Sequence, residues 1–336
     1  MSAWELSDDE RAAILHDDIL PLLFPASGAT DDPTLTLLTG QPGSGRPQAA
    51  ARICAEQDGE VAILSADQLR AFHPSIAELD ASGSVEAVGE LRAATAEWLR
   101  AGMAFAREHH RSLLVEGSFA TPAAAVATAQ RFGTDGFRTR IVIAGARRAE
   151  SLLSTVSLYL HGVQTGGPAR FVSRDAHDRG FDGTHALAAT LEESDAVNRV
   201  TVLGRAGASV FDGVSRNTDR PFVGARAALL ATQSDRLTSL RSAQWLSELR
   251  RVTEYAATVR MPRPLTELLI DLHETALREV IPELPVPAGS RVVAAQERRS
   301  ASDLVSLRRS LIEARPVDAA APSVAQSGPE RGGPSR

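Results

Sequence analysis

Eight residues, Gly40-Gln41-Pro42-Gly43-Ser44-Gly45-Arg46-Pro47, follow a short β-rich run (TLTLLT, residues 34–39) and open an alanine-rich helical stretch. Gly40 and Gly45 have the spacing of the phosphate-loop pattern GxxxxGK[ST], and Gly43 and Ser44 suit its tight path. In such a turn successive backbone N–H groups point inward at a phosphate, helped by the dipole of the helix that follows. The candidate nucleotide contacts are therefore Gly40, Gln41, Pro42, Gly43, Ser44, Gly45 and Arg46. The competing reading is a glycine-rich strand-to-helix turn that holds no ligand.

Two positions depart from the pattern. Arg46 stands where a lysine would bridge β- and γ-phosphates; it keeps the charge on a broader, forked head. Pro47 stands where a Ser or Thr hydroxyl would coordinate Mg²⁺, and it removes a backbone donor as well. Proline is tolerated in a first helical turn, so the fold need not suffer. Nucleotide binding can survive these changes more readily than fast phosphoryl transfer. Lysine is missing from the chain and arginine supplies its positive charge, so compositional drift and changed chemistry are both open at Arg46.

Further apolar runs at 61–64, 112–115, 139–144 and 199–203 alternate with helical patterns at 85–108, 122–132 and 149–160. This alternation implies a parallel sheet covered on both faces, a P-loop NTPase-like α/β fold. Ligands of such sheets bind beyond the carboxyl ends of the strands, which singles out Asp67, Glu116, Ser118, Arg147 and Arg148. From about residue 220 the strand signal stops and two or three helices follow. We expect an N-terminal helical segment (1–33), a nucleotide-binding domain (34–218), a C-terminal helical extension (219–314) and a disordered tail (315–336).

The net charge of −6 and pI near 5.8 recommend neither a nucleic-acid nor a membrane partner. A single cysteine, Cys54, excludes an internal disulfide and a multi-cysteine metal site. No basic, apolar leader opens the chain and no run reaches the roughly 20 apolar residues of a membrane span. The expected location is cytoplasmic.

Five blocks in order resemble the zeta toxin family of sugar-nucleotide kinases: LTLLTGQPGSG, LSADQLRAFHP, LLVEGSF, GPARFVSRDAHD and VLGRAG. The likeness spans roughly residues 10–215. It implies ATP (or GTP) with Mg²⁺ as cofactor, UDP-N-acetylglucosamine as substrate and an antitoxin protein as partner. Residue by residue it implies Asp67 as general base on the sugar hydroxyl, with Arg170 and Arg46 facing the transferring phosphoryl group. Glu116, Ser118 and His73 would hold the sugar nucleotide. For Asp67 the plainer role, a cap on the following helix, stays open. Leu158 occupies the place of a second catalytic arginine, for which Arg147, Arg148 or Arg174 are the nearby substitutes. The alternative to a kinase is an impaired P-loop protein kept as a binding or regulatory module.

His177, Asp178, Asp182 and His185 fit no standard metal spacing and read as a polar lid. Residues 291–309 read as a charged helix face, and Trp4, Trp98 and Trp245 as core residues.

Overall fold

The structure, a computed structural model, describes residues 4–25, 30–57, 61–82, 84–117, 119, 121–167, 169–205, 207–215, 220–259, 262–287 and 289–313. Ser118 and the expected tail at 315–336 lie outside the described residues.

Six strands form one sheet in the order β2-β3-β1-β4-β5-β6. They are β1 (Thr34–Gly40), β2 (Ala62–Ser65), β3 (Leu113–Glu116), β4 (Arg138–Ala144), β5 (Arg199–Leu203) and β6 (Ser209–Val214). The first five are parallel; β6 runs antiparallel to β5, with an irregularity at Val202 and Leu203. β6 adds an antiparallel edge to the expected parallel sheet. Its sequence SVFDGV, with Asp212 and Gly213 inside it, lacks a β-rich run, and pairing with β5 overrides that weak propensity.

The helices are α1 (Asp8–Ile14), α2 (Leu20–Leu23), α3 (Arg46–Ala55), α4 (Ala66–Leu69), α5 (Ile76–Ser82), α6 (Val85–Glu108), α7 (Pro122–Thr134), α8 (Arg148–Thr165), α9 (Arg174–Glu192), α10 (Ala225–Ser234), α11 (Ser239–Ala256), α12 (Arg263–Thr275) and α13 (Arg291–Glu313). Ser7 and Glu10 close the capping box at α1 that their spacing suggests. β1 is buried on both sides, so the adjacent Leu37 and Leu38 are both apolar and Leu35 and Thr36 are both buried. On one face Leu38, Leu114, Val142 and Leu203 pack on α3 through Ala49, Ala50 and Ile53. On the other, Leu35, Leu37, Ile141, Ile143 and Val200 pack on α6, α7, α9 and α10. Trp98 of α6 is fully buried there.

A second core joins α8 to α11, α12 and α13 through Leu152, Val156, Trp245, Leu249, Leu268, Leu272 and Leu307. Trp245 donates its indole N–H to the Ala149 carbonyl at 3.0 Å. Trp4, by contrast, is half-buried at the protein's edge, reaching Glu78 at 3.2 Å. Phe222, Ala225 and Leu229, around α10, belong to the sheet's core, whereas the helices from Leu237 onward belong to the second one. No helix among the described residues is long and apolar enough to cross a membrane.

Candidate functional site

The loop after β1 closes tightly. Gly43 and Gly45 have φ of 77° and 89°, the left-handed region that a side chain disfavours, and Ser44 donates its N–H to the Gln41 carbonyl at 3.1 Å. Gly45 caps α3, which places Arg46 and Pro47 in its first turn, where a proline disturbs no helical hydrogen bond.

The loop is held from outside. Gln41 is fully buried and donates its side-chain N–H to the Ala146 carbonyl at 2.5 Å. A Cβ on Gly43 would overlap the Ser151 carbonyl of α8, and one on Gly180 of α9 would come within 2.6 Å of the Pro42 ring. Two helices thus wall the loop, and Ser44 and Gly45 border a cleft of about 340 Å³. Ser44, Gly45, Gln48, Arg52, Gly204 and Arg205 line this cleft. Ser44 Oγ and Arg205 Nη1 are buried without a hydrogen-bond partner, which is costly for polar groups unless something else meets them. A smaller hollow of about 200 Å³ under Leu23, Phe24 and Arg111 lies away from these groups, at the amino end of β2.

The ends of β2 and β3 lie side by side, Ser65 opposite Glu116 in register. Ser65 caps α4 by accepting from the Gln68 N–H at 3.1 Å, so the capping role open for Asp67 falls to its neighbour. The Asp67 carboxylate, free of that duty, accepts from Arg170 Nη1 at 2.6 Å. Glu116 faces Arg46 at 3.8 Å, both side chains mostly buried. Burial pushes the Glu116 carboxyl above its ordinary pKa; Arg46 pulls it back and the charge of Asp67 adds to the rise. Two carboxylates and two guanidiniums therefore meet at the carboxyl edge of the sheet. Such a group can take a proton from an alcohol and stabilise charge on a phosphoryl oxygen.

Other expected residues are placed differently. His73 is 1% exposed, accepts from the Ser75 N–H at 3.2 Å and packs toward Trp98, so it anchors the turn after α4 beneath the surface. Leu158, at the position of the missing arginine, is 67% exposed. Arg147 pairs with Glu283 and Glu279, and Arg148 with Asp178 and Asp271. Arg174 lies 3.7 Å from Asp178 and from Asp271. The three substitute arginines are thereby committed to ion pairs. The stretch expected as a polar lid is largely the 19-residue helix α9, capped by Ser173. Within it His177 is fully buried between Ser151 Oγ (2.9 Å) and Asp178 Oδ1 (3.0 Å). Among the described residues no group of three His, Cys, Asp or Glu could hold a metal ion. Arg205, held by Ser154 at 2.8 Å and Glu150 at 3.4 Å, was not singled out as a site residue from sequence. The signal was present in VLGRAG, a strand end pointing at the loop.

This architecture is that of a P-loop NTPase-like α/β protein. The family model described as Zeta toxin matches residues 25–215, more than half of the chain, and the chain belongs to that family. Among curated relatives, "Toxin zeta" of Enterococcus hirae is 23% identical over 206 residues, covering 61% of this chain and 72% of that protein. "Toxin zeta" of Streptococcus pyogenes is 23% identical over 207 residues, with the same coverage of 61% and 72%. A solved structure from the PezAT chromosomal toxin–antitoxin system of Streptococcus pneumoniae superposes with a TM-score of 0.63 at 21% identity, covering 75% of this chain and 98% of that one. At that identity the likeness speaks for the fold.

Proposed function

We propose that this chain binds a nucleoside triphosphate, ATP or GTP, over residues 40–46 and transfers its terminal phosphoryl group to a hydroxyl of a sugar nucleotide. UDP-N-acetylglucosamine is the substrate that family resemblance suggests. The observation that carries the reading is the meeting of Asp67, Glu116, Arg46 and Arg170 at the strand ends, with a tight glycine loop whose Ser44 and Gly45 line a cleft. The unpartnered Ser44 Oγ and Arg205 Nη1 support a polar occupant of that cleft.

In this reading amides of the loop other than Pro42, which has no N–H, hold the phosphates, and Arg46 faces their charge with a forked donor set. The Asp67 carboxylate accepts the proton of the attacking hydroxyl once substrate draws Arg170 away from it. Arg170 then neutralises charge on the transferring group. Glu116 orients the acceptor. Ser118 and His73, contributors by resemblance, act on the sugar nucleotide only indirectly in the case of the buried His73. A bound nucleotide supplies the phosphoryl group and its leaving diphosphate. The residues present do not fit a magnesium ion at the loop's usual metal position, because Pro47 has no side-chain oxygen to offer there. An antitoxin protein as partner belongs to the same proposal, and a cytoplasmic site of action goes with it.

A second reading has its own observation: Pro47 and the exposed Leu158 together remove a metal ligand and a cation from the site, which favours an impaired kinase kept for binding. One assay separates the two. The full chain is incubated with ATP, magnesium and UDP-N-acetylglucosamine, and products are identified by mass spectrometry. A phosphorylated sugar nucleotide supports the kinase; its absence at high protein over hours, with ATP still binding by calorimetry, leaves the binding module.

A further inference from the structure

Within the loop of residues 40–47 the Ser44 N–H to Gln41 carbonyl bond closes the turn, and the Gln41 side chain ties it to the Ala146 carbonyl. Two of its glycines occupy left-handed conformations and its one hydroxyl, on Ser44, is unpartnered. Its middle is restrained further by the walls, Ser151 behind Gly43 and Gly180 behind Pro42. What holds the walls together is polar. Ser151 Oγ lies 2.9 Å from His177 Nε2, and His177 Nδ1 lies 3.0 Å from Asp178 Oδ1. Asp178 accepts two bonds from Arg148, from Nε at 2.9 Å and Nη2 at 3.0 Å. Arg148 donates in turn to Asp271 Oδ2 at 3.2 and 3.3 Å. Asp271 belongs to α12, in the helical extension, and is 6% exposed.

A carboxylate so buried must keep its cation, since an unpaired charge there is strongly unfavourable. Asp271 therefore fixes Arg148, Arg148 fixes Asp178 against the first turn of α8, and His177 fixes Ser151. The chain of contacts ends at the backbone of Gly43.

We infer that Asp271 is a positioning residue for the phosphate loop, and that the C-terminal helical layer is through it a working part of the nucleotide site. The inference rests on reading residues 40–46 as that site, but the restraint itself has a readout without nucleotide.

The test uses the full chain. Asp271→Asn keeps the shape and removes the charge; Asp271→Glu restores the charge. Leu265→Ala, in the same layer with no link to the polar chain, serves as a destabilised control. Amide hydrogen exchange is followed at residues 41–46 without nucleotide, and ATP affinity by calorimetry. We expect Asp271→Asn to speed exchange in the loop about tenfold and to weaken ATP binding at least about fivefold, with partial recovery in Asp271→Glu. Leu265→Ala lowers the melting temperature and leaves both readouts at their original values. Should Asp271→Asn fail to fold, Arg174→Ala weakens the same knot from its exposed side and predicts a smaller rise in loop exchange. Unchanged loop exchange in Asp271→Asn, or in Arg174→Ala if that variant stands in for it, overturns the inference; so does an equal rise in Leu265→Ala. If the unaltered chain binds no ATP, the proposed function fails, while the exchange comparison still decides this one.

Discussion

The Asp67 carboxylate and the Arg170 guanidinium lie 2.6 Å apart at the mouth of the site, with more than half of each side chain exposed. A pair so open to water contributes no more than about 1 kcal/mol to stability and opens readily when a ligand competes for either partner. Arg170→Ala should therefore leave the melting temperature nearly unchanged. If Arg170 faces the transferring phosphoryl group, the same variant should lower turnover about 10³-fold or more. Comparable turnover in both proteins would remove Arg170 from the reaction.

Arg46→Lys combined with Pro47→Thr restores the phosphate-loop pattern without altering its walls. Nucleotide affinity measured with magnesium should rise about tenfold, a gain of about 1.4 kcal/mol, and affinity without magnesium should change less. Equal affinities with and without magnesium in the double variant would contradict the metal argument at Pro47.

Gly43→Ala forces a side chain into a left-handed residue and against the Ser151 carbonyl. The conformation alone costs about 1–2 kcal/mol, and the overlap must displace either the loop or α8. We expect a lower melting temperature and loss of nucleotide binding. Gly89→Ala, on the exposed face of α6 where a Cβ meets nothing within 4 Å, should stabilise the chain by about 0.5–1 kcal/mol. Calorimetric melting of the two variants checks both.

His273 of α12 is 2% exposed and burial pushes its pKa down to about 4. Its Nε2 lies 3.0 Å from Thr253 Oγ1, whose proton goes to the Leu249 carbonyl. That arrangement assigns the neutral ring with its proton on Nε2. Between pH 4 and the unperturbed value of 6.5 the unfolded chain binds more protons than the folded one, so stability rises with pH across that window. Acidifying from pH 7 to 4 should cost about 3 kcal/mol through this one group. His273→Gln should flatten that part of a stability–pH curve obtained by denaturant unfolding.

The sequence exposed the parts of this protein whose physics is local. The run TLTLLT and the glycines at 40, 43 and 45 need particular backbone shapes whatever surrounds them, and the helix at 85–108 carries its own periodicity. The cap before α4 was ambiguous because Ser65 and Asp67 are both competent; only the observed hydrogen bond to Gln68 decides for Ser65. Helix α9 was hidden by Gly180 and Gly183, residues that weaken a helix, and the close approach of Pro42 explains Gly180. The commitments of Arg147 and Arg148 could not be read, since their partners lie about 30 to 136 positions away. Roles for Asp67, Glu116 and Arg170 came from family likeness, and the structure adds that they lie within reach of one another.

The strand order has a temporal meaning. β1 sits mid-sheet, yet both of its neighbours are encoded later, around residues 113 and 138. A ribosome must release those segments, then α8 and α9, before the glycine turn finds its walls. Asp271 emerges later still. The site on this account remains unassembled for most of the chain's synthesis, ripening only as its last helices dock.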